Sequence, residues 1–181
     1  MKYLLLMLTC ILFCCNVYAQ HNQPVVFNSY NSIGFVAGKS PVAFAAQTEN
    51  GLKYSNWFLG AGFGMDNYFI KTLPLYLAVK KEFLIKKNSL FLYVNAGGNF
   101  IAKDKETKNG FTAISTKGGF YAEAGAGYKI KTTNRSSIYF SIGNSVKQIR
   151  QAETSLDTGF PYTYETKYKL SRIAFKAGYQ F

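Results

Sequence analysis

Two glutamates, Glu82 and Glu123, are the residues of this chain whose type and setting could best support chemistry. Both sit in stretches where apolar and polar residues alternate. A pair of carboxyls can serve as acid and base on either side of a sugar. Their neighbours point elsewhere. Lys80, Lys129, Lys147, Arg172 and Lys176 fall on the same faces of their stretches as the glutamates. A buried carboxylate must be paired. The expectation is a structural ion-pair network, with Glu123 bonded to Arg172, Lys147 or Lys176. The single histidine, His21, lies in a short polar leader, where nothing holds it within reach of a proton to abstract. Gly60-Ala61-Gly62-Phe63-Gly64 looks like a dinucleotide fingerprint, but such a loop must follow a strand and open a helix. Here glycines recur every second residue inside an alternating stretch, so they thin one face of a strand. No Cys/His/Asp group has metal-ligand spacing. No catalytic, cofactor-binding or metal residue is assigned, and the chain is expected not to be an enzyme.

The elements that would hold these residues are β-strands. Side chains alternate faces along a strand. In Gly118–Lys131 one face carries Phe120, Ala122, Ala124, Ala126, Tyr128 and Ile130, and the other carries Tyr121, Glu123, Lys129 and three glycines. In Ser137–Lys147, Ile138, Phe140, Ile142 and Val146 oppose Tyr139, Ser141, Gly143, Ser145 and Lys147. The same division marks Val25–Gly38, Val42–Thr48, Lys53–Met65, Ile70–Leu84, Leu90–Ala102 and Lys167–Phe181. Asn50-Gly51 carries the strongest tight-turn signal. Lys86–Ser89 and Thr132–Ser136 are further short turns, and Asp66-Asn67-Tyr68 is a break. Pro74 implies a bulge or bend, because it cannot donate a ladder bond. Residues 103–117 and 151–166 read as long polar loops.

About eight such strands make an all-β fold: a closed antiparallel transmembrane β-barrel. Its apolar faces would meet lipid, and its small, polar and charged faces would line a narrow lumen. Closure is required, because an open edge in lipid strands unpaired backbone groups at several kcal/mol each. The first and last strands should therefore pair. An even strand count puts both ends of the chain on the side of the short turns.

Residues 1–19 read as a cleaved secretory signal peptide, with Lys2, an apolar run and Val17/Ala19 before Gln20. All three cysteines lie within it, and Phe13 before Cys14 argues against lipidation. Residues 20–24 form a leader and 25–181 one barrel domain. The chain carries 21 Lys and Arg against 9 Asp and Glu, a formal net charge of +12. For an exported chain the matching counter-charge is lipid phosphate rather than nucleic acid, so outer-membrane lipids are the expected partner. Lys80, Lys81, Lys86, Lys87, Lys129, Lys131 and Arg135 gather toward the short-turn end, where headgroup phosphates or cell-wall material would meet them.

Trp57-Phe58-Leu59-Gly60-Ala61-Gly62-Phe63-Gly64, Leu73-Pro74-Leu75-Tyr76, Phe91–Gly97 and Gly125-Ala126-Gly127-Tyr128-Lys129 resemble the small outer-membrane β-barrel proteins of Bacteroidetes-type bacteria. Phe181, with Tyr179 two before it, resembles the signal read by the outer-membrane assembly machinery, although Lys176 stands where glycine is usual. The resemblance implies an outer-membrane location and a barrel, with no defined activity. It leaves a structural, adhesive or ligand-binding role through external loops, with the ligand unidentified. Two other readings are a soluble exported lipocalin-like barrel, which would invert the faces, and an enzyme modifying lipid A.

Overall fold

The computed structural model describes residues 24–38, 41–67, 70–102, 107–109, 112–133, 135–155 and 162–181. The expected signal peptide, His21 and most of the leader lie outside them. Ten strands are formed: β1 (Val26–Ala37), β2 (Ala43–Tyr54), β3 (Trp57–Asn67), β4 (Lys71–Ile85), β5 (Asn88–Ile101), β6 (Thr107–Asn109), β7 (Thr112–Lys117), β8 (Gly119–Lys131), β9 (Ser137–Ser155) and β10 (Thr163–Gln180). All pairings are antiparallel. The order runs β10-β1-β2-β3-β4-β5-β8-β9, and β9 pairs back onto β10 to close the ring. The barrel wall therefore has eight strands, with β7 continuing the line of β8 and β6 flanking β7. Tyr30↔Gln180 through Ala37↔Ile173 pair β1 with β10. Ser29 and Phe181 exchange two further backbone hydrogen bonds, at 2.8 and 3.1 Å.

The two faces sort as the alternation requires. Leu75, Leu77, Val79, Leu92, Val94, Phe140 and Phe175 point out of the barrel and are exposed, while Tyr76, Ala78, Tyr93 and Tyr139 between them are buried inside. Such an outer surface is unstable in water and fits hydrocarbon. A lipocalin-like barrel needs the opposite arrangement, so the chain is a transmembrane β-barrel. The interior is rich in aromatic rings. Tyr30 packs edge-on against Phe58 and Tyr139, with ring centroids 4.9 and 5.6 Å away. Gly62 makes room for a ring: a Cβ there would lie 2.3 Å from Tyr76 of the next strand.

Several local expectations are corrected. Asn50-Gly51 is not a turn. β2 runs straight through it, pairing Asn50 with Ser29 and Ala61. Gly51 is needed for close strand approach, since a Cβ there would stand 2.2 Å from the Leu59 carbonyl oxygen. The turn comes at Ser55–Asn56, between the paired residues Tyr54 and Trp57, and Ser55 takes a positive φ of 54°. Lys86 does the same with φ 56°, beside the Ile85↔Asn88 pair. A left-handed φ costs a non-glycine residue roughly 1–2 kcal/mol. Ser55→Gly and Lys86→Gly should therefore raise stability against urea by up to about 1 kcal/mol, whereas Gly51→Ser should reduce the folded yield.

Pro74 produces no bulge. Phe63↔Leu75 and Asp66↔Thr72 share one register, so β3–β4 pairing lapses beside the missing N–H and resumes without an inserted residue. Asp66 and Asn67 belong to β3 rather than to a break. The bulge is instead at Gly118–Phe120. Lys117 pairs with Arg150 and Tyr121 with Lys147, so three residues oppose two. The extra residue shifts the inward phase from Thr116 to Tyr121.

The two long polar loops are mostly strand. β9 has 19 residues and β10 has 18. At ~3.3 Å per residue, β9 is about 60 Å long, well beyond an apolar band about 25 Å tall. Thr112↔Ser155 through Lys117↔Arg150 and Thr163↔Thr154 onward tie β6, β7, β9 and β10 into a sheet that projects from the long-strand end. Threonine, tyrosine and lysine along 112–117 and 163–169 suit exposed strands as well as loops, and polarity alone misassigned them.

Candidate functional site: a charged, sealed lumen

Among the described residues the lumen holds four carboxylates, and each meets a cation. Nearest the short-turn end, Glu82 (β4) accepts from Lys53 Nζ at 2.6 Å, Lys129 Nζ at 2.5 Å and the Tyr30 hydroxyl at 2.8 Å. Glu49 (β2) lies 2.5 Å from Lys80 Nζ and accepts from Asn95 Nδ2 at 3.0 Å and the Tyr76 hydroxyl at 3.3 Å. Lys80 also stands over the Tyr30 ring, 4.1 Å from its centroid.

Glu123 (β8) pairs with Lys176 (β10) and accepts from the Tyr93 and Tyr121 hydroxyls at 2.8 and 2.9 Å. Lys176 also donates to Gln47 Oε1 at 2.6 Å, and Gln47 Nε2 donates to Tyr121 at 3.0 Å. Toward the long-strand end, Lys147 (β9) pairs with Asp66 (β3) and donates to Thr72 at 3.0 Å, while Thr72 donates to Asp66 at 2.8 Å. Arg172 Nη1 donates to the Pro41 carbonyl at 3.0 Å.

Alternation explains why one chain can build this. Residues at i, i+2 and i+4 share the lumen face, so Gln47, Glu49 and Lys53 come from β2 and Tyr76, Lys80 and Glu82 from β4. Each carboxylate thus meets a cation far away in sequence. Charges at these depths are tolerable only with such pairing and with the tyrosine hydroxyls filling the remaining lone pairs.

All six residues expected at the lumen, Glu82, Glu123, Lys80, Lys147, Arg172 and Lys176, are buried inside the barrel. Of the three partners considered for Glu123, Lys176 bonds it, while Lys147 goes to Asp66 and Arg172 to Pro41. Lys80 and Lys129 are withdrawn from the basic rim into the lumen, whereas Lys86, Lys87, Lys131 and Arg135 stay exposed. Tyr179 and Phe181 lie outside the wall with ring centroids 6.2 Å apart. Glu49, Asp66 and Lys53 were not foreseen. Glu49 was hidden by reading Asn50-Gly51 as a turn and Asp66 by reading a break after Met65. Carrying the alternation Ala43-Ala45-Gln47-Glu49 and Gly62-Gly64-Asp66 two residues further finds both.

The network fills the middle of the lumen. The central void among Glu49, Lys80, Tyr93, Tyr139 and Lys176 is about 10 Å³, at the limit of what one water needs. Among the described residues no group of three His, Cys, Asp or Glu side chains could hold a metal ion.

No family model and no curated protein matches this chain. Among solved structures it is similar to the solid-state NMR structure of outer membrane protein AlkL in DMPC lipid bilayers, with 15% identity and a TM-score of 0.48 over 90% of this chain and 92% of that one.

Proposed function

We propose that this protein is a non-conducting, non-catalytic integral outer-membrane barrel that works through the sheet projecting from its long-strand end, in an adhesive or ligand-binding role. The observation that carries this reading is the sealed lumen combined with strands that continue far past the apolar band. A filled interior supports neither diffusion nor a substrate pocket. The projecting sheet offers exposed tyrosines, Tyr162 and Tyr164 at 68% and 64% exposure, among threonines and charges. Aromatic rings with a polar tip give large contact area at low entropic cost. Short turns face the periplasm in barrels of this class, which puts the projecting sheet outside the cell.

Reconstituted protein should show no steady ionic conductance in planar bilayers. Cells displaying the full chain should bind surfaces or ligands that cells displaying a barrel trimmed of 151–166 do not, with both variants inserted equally. Stable conductance steps, or equal binding by the trimmed barrel, would contradict the proposal.

A further inference from the structure

The short-turn mouth of the barrel is a second, chemically distinct place. A cavity of about 480 Å³ opens there. Its charged side chains are Lys53, Lys87, Lys129, Lys131 and Arg135, with Glu82 the single acidic one. Glu82 is spent on Lys53 and Lys129. Among the described residues no carboxylate lies within ion-pair distance of Lys87, Lys131 or Arg135. Every other described acid is placed elsewhere. Glu49, Asp66 and Glu123 pair deeper in the lumen, and Glu153 and Glu165 lie on the projecting sheet.

A solvated rim of a chain this basic would scatter its positive charge. Here two strands, β2 and β8, and two turns bring it to one concavity that the buried Ser89 and Ser137 also line. Five cationic side chains and one acidic side chain in a half-enclosed mouth focus a positive potential that one small, multiply charged anion could neutralise. Lysine and arginine donors beside hydroxyls match phosphate oxygens. The apolar lip of Val26, Phe27, Leu84 and Phe181 would accept hydrocarbon attached to that phosphate.

We infer that the short-turn mouth is a phosphate-binding site, taking either a soluble polyphosphate-type anion or the phosphate of a lipid headgroup at the membrane edge. Lys87, Lys131 and Arg135 supply the free charge. Lys53 and Lys129 turn part of theirs from Glu82 toward the ligand when it enters. This site stands apart from the projecting sheet, and neither reading depends on the other.

The probe for the soluble arm is inorganic pyrophosphate, titrated calorimetrically into the full chain in phospholipid-free neutral detergent at low salt. For the lipid arm, the full chain is placed in nanodiscs of phosphatidylcholine with and without phosphatidylglycerol, and headgroup contact is read by phosphorus NMR. The expected result is saturable binding in at least one arm. It should weaken at least tenfold in the triple variant K87Q/K131Q/R135Q, whose substitutions are on exposed side chains and leave the folded barrel intact. Glu82→Gln supplies a second readout. It leaves Lys53 and Lys129 without their carboxylate, and pyrophosphate or phosphatidylglycerol should then raise its thermal stability more than that of the parent chain. Pyrophosphate binding alone assigns the soluble anion, and phosphatidylglycerol contact alone assigns the headgroup. Absence of binding in both arms, or binding unchanged in the triple variant, would overturn the assignment.

Discussion

Glu123→Gln is expected to destabilise the barrel by about 3–5 kcal/mol, the cost of leaving a buried cation without its charge partner. Lys176 is the group left exposed to that cost. It is 8% accessible, and of the two groups it bonds Glu123 carries negative charge and Gln47 is neutral. The neutral amide keeps one acceptor oxygen, so it can accept from Tyr93 or from Tyr121 but not from both, and the loss combines charge pairing with one tyrosine hydrogen bond. Lys176→Met in the same chain removes the stranded ammonium, and the double variant should recover most of the lost stability. Urea unfolding in lipid vesicles, followed by the mobility difference between folded and unfolded barrel on gels, reads both. A single variant within 1 kcal/mol of the parent, or a double variant no better than the single, would mean the pair is solvated and the lumen open.

Leu77→Arg is the second large effect. Leu77 is 65% exposed on the outer wall, in the middle of the stripe Leu73-Leu75-Leu77-Val79. An arginine at the bilayer midplane of such a barrel costs about 2–4 kcal/mol, falling toward zero near the interfaces. The same substitution at Ile85, beside the Lys86 turn, should therefore cost about 0–1 kcal/mol. Equal effects at the two positions in the vesicle assay would contradict the membrane depth assigned to β4. In detergent with a thin apolar shell the difference should shrink, since the penalty belongs to the hydrocarbon and not to packing inside the protein.

Both predictions rest on the period-two pattern, which is the part of this protein that is legible from its residues. Every strand of the barrel wall could be placed from alternation. The inward phase of Tyr76-Ala78-Lys80-Glu82 and of Tyr121-Glu123 follows from it directly. Local turn chemistry was a poorer guide. Asn50-Gly51 carries a strong hairpin signal, yet tertiary packing uses Gly51 for backbone approach, and Ser55 accepts an unfavourable φ instead.

Polarity failed at the long-strand end for a different reason. Beyond the membrane a strand no longer needs one oily face, so Gln148–Ser155 and Thr163–Lys169 lose the alternation that marks them as strands. The partners in the lumen were legible only as a set. Sequence gives the phase of Lys147, Arg172 and Lys176 but not their depth, and depth decides that Lys176 reaches Glu123 while Lys147 reaches Asp66. Depth is set by strand stagger around the closed ring, which no single strand records. The Gly118–Phe120 bulge adds to this, because it shifts the phase of β7 by one residue relative to β8.

The direction of the side chains on β4 is the most direct test of the whole account. Trp57 is the single tryptophan of the chain. In a Trp57→Phe background, Tyr76→Trp and Leu77→Trp place one fluorophore on either side of the wall. In vesicles of brominated phospholipid, the indole at 77 should lose most of its emission and the indole at 76 should keep it. Quenching at 76 with protection at 77 would mean that the oily face lines the interior, and the protein would not be a membrane barrel.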